Sequence, residues 1–349
     1  MKRSKGFSLI EIMVALVVML IVVAGTLTAL QEAMHTSEAI TKMADVQDNL
    51  RSGMNLMARD IVQAGSGIPI GGILIPYSGV GSPALNRPGP AGLQFPVQST
   101  LTAITPGDVL GPASLGIGTD VITLIYADNT LPWGSMAPIN NPANPTCTGT
   151  IAGDGSSITF DTADVGCSQL VAGNVSVVPG DLIMLTSSQG GNIIQEVTNV
   201  AGNVVSFSAG DAFGLNGVAA TSGTIAQLKV GGVFPPISAT RIWMITYFIS
   251  TANPQVPVLM RQVNFNAAQE VGQVIEGLQF SYDLTNPTVL PGTNERNIVA
   301  PDTPNQIRKV NIYLAARSEY PYSVTHQYFR TNLMTQISMR SLTFENRYN

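Results

Sequence analysis

The sequence predicts an α+β protein in which one long amino-terminal helix carries a mainly antiparallel β head with an inserted β subdomain. Three observations lead there. From residue 7 to residue 64 the apolar residues first run almost without interruption and then recur every third or fourth position. No proline interrupts them, which is the pattern of a helix that starts apolar all round and ends amphipathic. Beyond residue 65 many short segments alternate apolar and polar residues between turns that carry Gly and Asn, the period of strands with one buried face. The composition agrees: with 45% hydrophobic residues, 11% charged, 34 Gly and 22 Pro, the chain has material for a real core enclosed by turns rather than for a disordered coil.

The chain opens MKRSKG, a short basic leader that the positive-inside rule holds on the cytoplasmic side. Phe7 to Leu30 follows, roughly 36 Å of helix and enough to cross a hydrocarbon core. An ordinary secretory signal has a shorter apolar run and its cleavage motif after that run. Here the punctuation, Lys5-Gly6-Phe7, comes before it, and one acid, Glu11, lies near the start of the apolar segment.

The stretch KGFSLIEIMVAL resembles the class III signal of type IV pilins and type II secretion pseudopilins. The resemblance implies that a prepilin peptidase and methyltransferase cuts after Gly6 and N-methylates Phe7, and that the helix is retained. It also implies the partners: other major and minor pilins, an inner-membrane assembly platform and the lipid bilayer. A carboxylate inside a membrane helix costs about 2.5 to 3.5 kcal/mol unless it finds a partner. For Glu11 the new α-amino group of Phe7 is such a partner, either one turn away on the same helix or from a neighbouring subunit. Both neutralise the charge, and only the second sets a register between subunits.

Past the membrane segment, Ile40, Met43, Val46, Leu50, Met54, Met57 and Ile61 form one apolar stripe among charged residues, so residues 31–64 read as an amphipathic stalk continuing the same helix. Glu38 and Lys42 are an i,i+4 pair in the favourable order. Gly65, Gly67 and Pro69 are expected to stop the helix, and Gly25, with Thr26 and Thr28 after it, is a soft point within it. The spine as a whole would run roughly 87 Å.

The head divides by pattern. Residues 65–120 are Gly/Pro-rich and read as a long loop with little regular structure. Residues 121–240 read as the first part of the β head with the inserted subdomain, and 241–349 as its final antiparallel strands. Expected strands are Val121–Tyr126, Ser157–Phe160, Leu182–Thr186, Ile193–Val200, Val204–Ser208 and Thr224–Val230. Arg241–Ser250, Val258–Phe265, Val274–Leu284, Lys309–Arg317 and Asn332–Phe344 complete the set. A strand after the helix and a closing group of antiparallel strands together resemble the large PilW-type minor pilins and the related J-type pseudopilins.

Catalytic chemistry is thinly represented, and no enzymatic activity or cofactor is expected. His35 and His326 have no acidic or nucleophilic neighbour at a recognised spacing, so exposed structural roles are expected for both. The chain contains no phosphate-binding glycine motif. Asp154, Asp161 and Asp164 are near one another but lack the EF-hand spacing. Arg308, Lys309, Arg317, Arg330, Arg340 and Arg347 gather near the carboxyl end beside Tyr320, Tyr322 and Tyr328, and read as the solvated face of strands rather than a nucleic-acid surface. Removing the leader through Gly6 takes the net charge from −5 to −8, which argues further against nucleic acid. Cys147 and Cys167 are the right number for one disulfide in an oxidising compartment.

These readings converge on a minor pilin-like subunit that primes or caps a type IV pilus. It would be held in the bacterial inner membrane by a single pass, with a periplasmic head, and would join a pilus or pseudopilus filament after assembly. A type II secretion pseudopilin, or a signal-anchored surface protein with a ligand-binding, adhesin-like head, is the alternative.

Overall fold

The computed structural model describes residues 8–76, 85–114, 116–128, 130, 131, 133, 149–161, 175–216 and 223–339. A single helix, α1 (Leu9–Gln63), opens it, and the chain leaves that helix at Ala64. Gly65 then takes φ +77° and donates its N–H to the carbonyl of Ile125, fixing the exit from helix to sheet. The helix passes unbroken through Gly25, where the Thr26 and Thr28 hydroxyls donate back to the carbonyls of Val23 and Ala24.

The described head is built from short strands: β1 (Ile73–Leu74), β2 (Thr100–Leu101), β3 (Ile104–Thr105), β4 (Gly111–Ser114), β5 (Ile117–Thr119) and β6 (Ile122–Asp128). Next come β7 (Gly149–Ile151), β8 (Ser157–Phe160), β9 (Leu182–Ser187), β10 (Asn192–Glu196), β11 (Asn199–Ala201) and β12 (Val204–Ser206). The last six are β13 (Ile237–Ser250), β14 (Val258–Val263), β15 (Gln269–Gln273), β16 (Ile275–Leu284), β17 (Ile307–Arg317) and β18 (Arg330–Ser338). Among the described strands, pairing is antiparallel except between β1 and β10. The protein is therefore an α+β fold with a long apolar amino-terminal helix and a β-rich head.

The 14-residue strand β13 organises the main sheet. One of its edges pairs with β6, while the other pairs with β9 over Ile237–Ile242 and with β14 over Ile245–Ser250. Asn264 fills the point where that edge changes partner. Its Oδ1 accepts from Met244 N–H at 3.1 Å and its Nδ2 donates to the Gly180 carbonyl at 3.2 Å. A three-stranded meander, β16-β17-β18, stands beside this sheet, and the second half of α1 packs against β15, β17 and β18. A four-stranded sheet, β11-β12-β8-β7, and the small β4-β5 pair complete the head.

Several elements differ from the sequence expectation. The Gly/Pro-rich stretch is not a bare loop: it contributes β1 to β5, and it buries Leu85, Arg87 and Phe95. Ile193–Val200 divides into two strands in different sheets: Val197 N–H still continues the β9 ladder to the Asp181 carbonyl, and the next N–H, of Thr198, goes instead to the Ser206 carbonyl of β12. Thr224–Val230 is not a strand; Ile225–Leu228 forms a 3₁₀ turn that puts Ile225 and Leu228, three apart, into one apolar core. Ile40 and Met43 stay exposed, so the covered stripe of the stalk begins only at Val46. Arg317 is buried rather than solvated, with its Nε 2.6 Å from Glu276 Oε1.

Candidate functional site

The first turn of α1 has a reciprocal capping arrangement that the Ser8-x-x-Glu11 spacing encodes. Ser8 N–H donates to Glu11 Oε2 at 2.9 Å, so Glu11 satisfies a backbone donor that the helix itself leaves unpaired. Gly6 and Phe7 lie outside the described residues, as do Cys147 and Cys167. From Leu9 to Leu30 the apolar side chains are exposed, and none of the most apolar window of this helix is covered by the rest of the chain. So large an uncovered apolar surface requires lipid or other chains around it.

The other half of α1 is joined firmly to the head. Val46, Leu50, Met54, Met57 and Ile61 are buried against residues of β13, β14, β16 and β17, each stabilising by about 1.5 to 3 kcal/mol. Gly53 permits the close approach: a Cβ there would lie 2.8 Å from Leu259 Cδ2. At the last turn Asp60, 1% exposed, accepts hydrogen bonds on Oδ2 from Tyr247 Oη at 2.7 Å and Arg261 Nε at 2.8 Å. Burial and then the Asp60 carboxylate push the Tyr247 phenol well above its ordinary range. Burial works against the Arg261 charge, and Asp60 more than offsets it. This lock has no local sequence signature, because Asp60 is more than 180 residues from both of its partners.

A third contact binds the stalk lower down. The β17–β18 connection carries Lys42 Nζ on the Pro321 carbonyl at 2.7 Å, and Ser323 Oγ donates to Glu38 Oε2 at 2.5 Å. Tyr322 stands edge-on to the His35 ring, with centroids 6.4 Å apart. His35 is thus half-covered rather than free, while His326 is exposed and takes φ +54°, closing the turn through its N–H to the Tyr322 carbonyl.

Of the three aspartates near residue 160, Asp154 accepts both the backbone N–H and the hydroxyl of Ser156, Asp161 is exposed, and Asp164 lies outside the described residues. Among the described residues no group of His, Cys, Asp and Glu is arranged to hold a metal ion. Arg340 and Arg347 are also outside them; Arg330 is exposed and pairs with Glu276 at 3.0 Å.

Residues 1–27 match the family described as the prokaryotic N-terminal methylation motif. That match, with the long apolar helix, supports a type IV pilin-like protein anchored in a membrane, of a generally structural kind. Comparison with curated proteins and with solved structures gives no match.

Proposed function

We propose that this chain is a minor pilin-like subunit. It is cleaved between Gly6 and Phe7, N-methylated on Phe7, held in the inner membrane by α1, and drawn from there into a type IV pilus, which it primes or caps. The observation that carries this reading is the methylation motif placed on a helix whose apolar half is uncovered and whose second half is locked to the head. Such a helix transmits any pull on the membrane segment to the whole β head. A head of about 285 residues, with a radius of gyration of about 19 Å, is large for side-by-side packing along a filament and favours a place at an end, or sparse incorporation. Cys147 and Cys167, bonded in the periplasm, would close a loop of about 20 residues worth about 3 kcal/mol. If both thiols alkylate in the unreduced, denatured protein, that pairing is wrong.

Glu11 has two roles to separate in one experiment. Glu11→Gln keeps an oxygen for the Ser8 N–H but removes the charge, while Glu11→Ala removes both. Charge pairing with a neighbour's amino group predicts that both variants fold normally and both lose assembly. Normal assembly of Glu11→Ala would contradict the pairing, and loss in Glu11→Ala alone would assign Glu11 to capping.

A further inference from the structure

The lower end of the head lies where a bilayer surface should be. The apolar run of α1 ends at Leu30 and is followed by Gln31 and Glu32, which marks the edge of the hydrocarbon. The polar headgroup layer beyond that edge is about 5 to 7 Å thick. His35 lies about 7.5 Å along the helix from Leu30. The turn between β17 and β18 descends to that level: Tyr322 Oη reaches the His35 carbonyl, and Ser323 Oγ lies 3.4 Å from His35 Nδ1. Val324, next along, is 54% exposed.

We infer that the turn at Tyr322–Thr325 rests against the outer edge of the headgroup layer of the bilayer that α1 crosses, with a lipid surface as its partner. This rests on the anchoring reading given under Proposed function. The chemistry is aromatic and apolar: Tyr320 and Val324 are exposed at 66% and 54%, Tyr322 stands half-buried between them, and residues 318–329 contain one acid and no lysine or arginine. Tyrosine is a side chain with an apolar body and a polar tip, suited to such an interface. Of the neighbouring cations, Lys42 is paired with Glu38, while Arg317 and the half-exposed Arg330 share Glu276. Contact of this kind fixes the tilt of the head over the membrane before the helix is withdrawn, and it is independent of lipid charge.

The full chain is placed in vesicles of zwitterionic lipid bearing a nitroxide either at the headgroup or deep in the acyl chain, with tryptophan introduced singly at three exposed positions. Val324→Trp reports on the turn, and Leu20→Trp on the membrane segment. Val289→Trp reports on the β16–β17 connection, at the opposite end of the meander. The unsubstituted protein, with Trp133 and Trp243 in the head, supplies the background. The headgroup probe is expected to quench Val324→Trp about twofold more than Val289→Trp, with no change when anionic lipid is added. Equal quenching at 324 and 289, while the deep probe quenches Leu20→Trp, would overturn the inference and leave anchoring intact. Absence of quenching at Leu20 would overturn anchoring and the inference together. Quenching at Val324 that needs anionic lipid would overturn the aromatic mechanism.

Discussion

The Tyr247 hydroxyl donates a 2.7 Å hydrogen bond to Asp60 Oδ2, joining the last turn of the helix to the strand on which the main sheet is built. Arg261 reaches the same oxygen from the adjacent strand, so one carboxylate holds three elements. Removing it leaves a buried guanidinium without its charge partner. Asp60→Ala should therefore destabilise the head by about 3 to 5 kcal/mol, whereas Asp48→Ala, at an exposed position on the same helix, should stay within about 0.5 kcal/mol. Urea unfolding in detergent checks both.

Arg87 has a comparable role in the Gly/Pro-rich stretch. Its guanidinium is 1% exposed and donates to the carbonyls of Thr105, Pro106 and Val121 and to Thr123 Oγ1, all neutral oxygens. Burial lowers its pKa to about 10, so it remains charged at neutral pH. Arg87→Met fills similar space but orphans several carbonyls, and should cost about 3 kcal/mol or more. Arg87→Lys, with one point of donation instead of a fork, should recover only part of that loss in the same unfolding measurement.

Glu196 gives the head a pH dependence. It accepts the Phe213 N–H on Oε2, and burial first, with the negative Asp211 adding to it, raises its pKa from 4.5 to about 7. An acid whose pKa is raised on folding holds its proton better in the folded state, so its stabilisation is full below about pH 4.5 and is lost as pH climbs through 7. The head should lose on the order of 1 to 2 kcal/mol between pH 5 and pH 8, allowing for partial solvent access. Glu196→Gln should flatten that slope. An equally steep slope in the variant would assign it to other groups.

What the sequence revealed, and what it concealed, follows from the range of the interactions. The helix was legible almost to its ends, Leu9–Gln63 against an expected 7–64, because apolar periodicity and Gly65 are local signals. Ser157–Phe160 was legible from alternation alone. Ile40 and Met43 continue the stripe but are exposed, because a helical pattern does not say how far the head reaches down the stalk. Ile225 and Leu228 fit two periods, and tertiary packing chose the 3₁₀ turn. Ser8 and Glu11, three apart, also carry the local spacing of a capping box. Asp60 and the Tyr322 turn could not be read, since their partners lie on segments the sequence leaves far apart, nor could Arg87, whose partners are mostly backbone carbonyls that no residue type announces.

Mass spectrometry of the amino terminus of the protein purified from assembled or membrane-held material tests the central claim most directly. The account predicts a mature chain that begins at N-methyl-Phe7, and a Gly6→Val variant that keeps its leader because a branched side chain obstructs a cleavage site fitted to glycine. An unsubstituted protein that still begins at Met1, or is cut after the apolar helix, would contradict it.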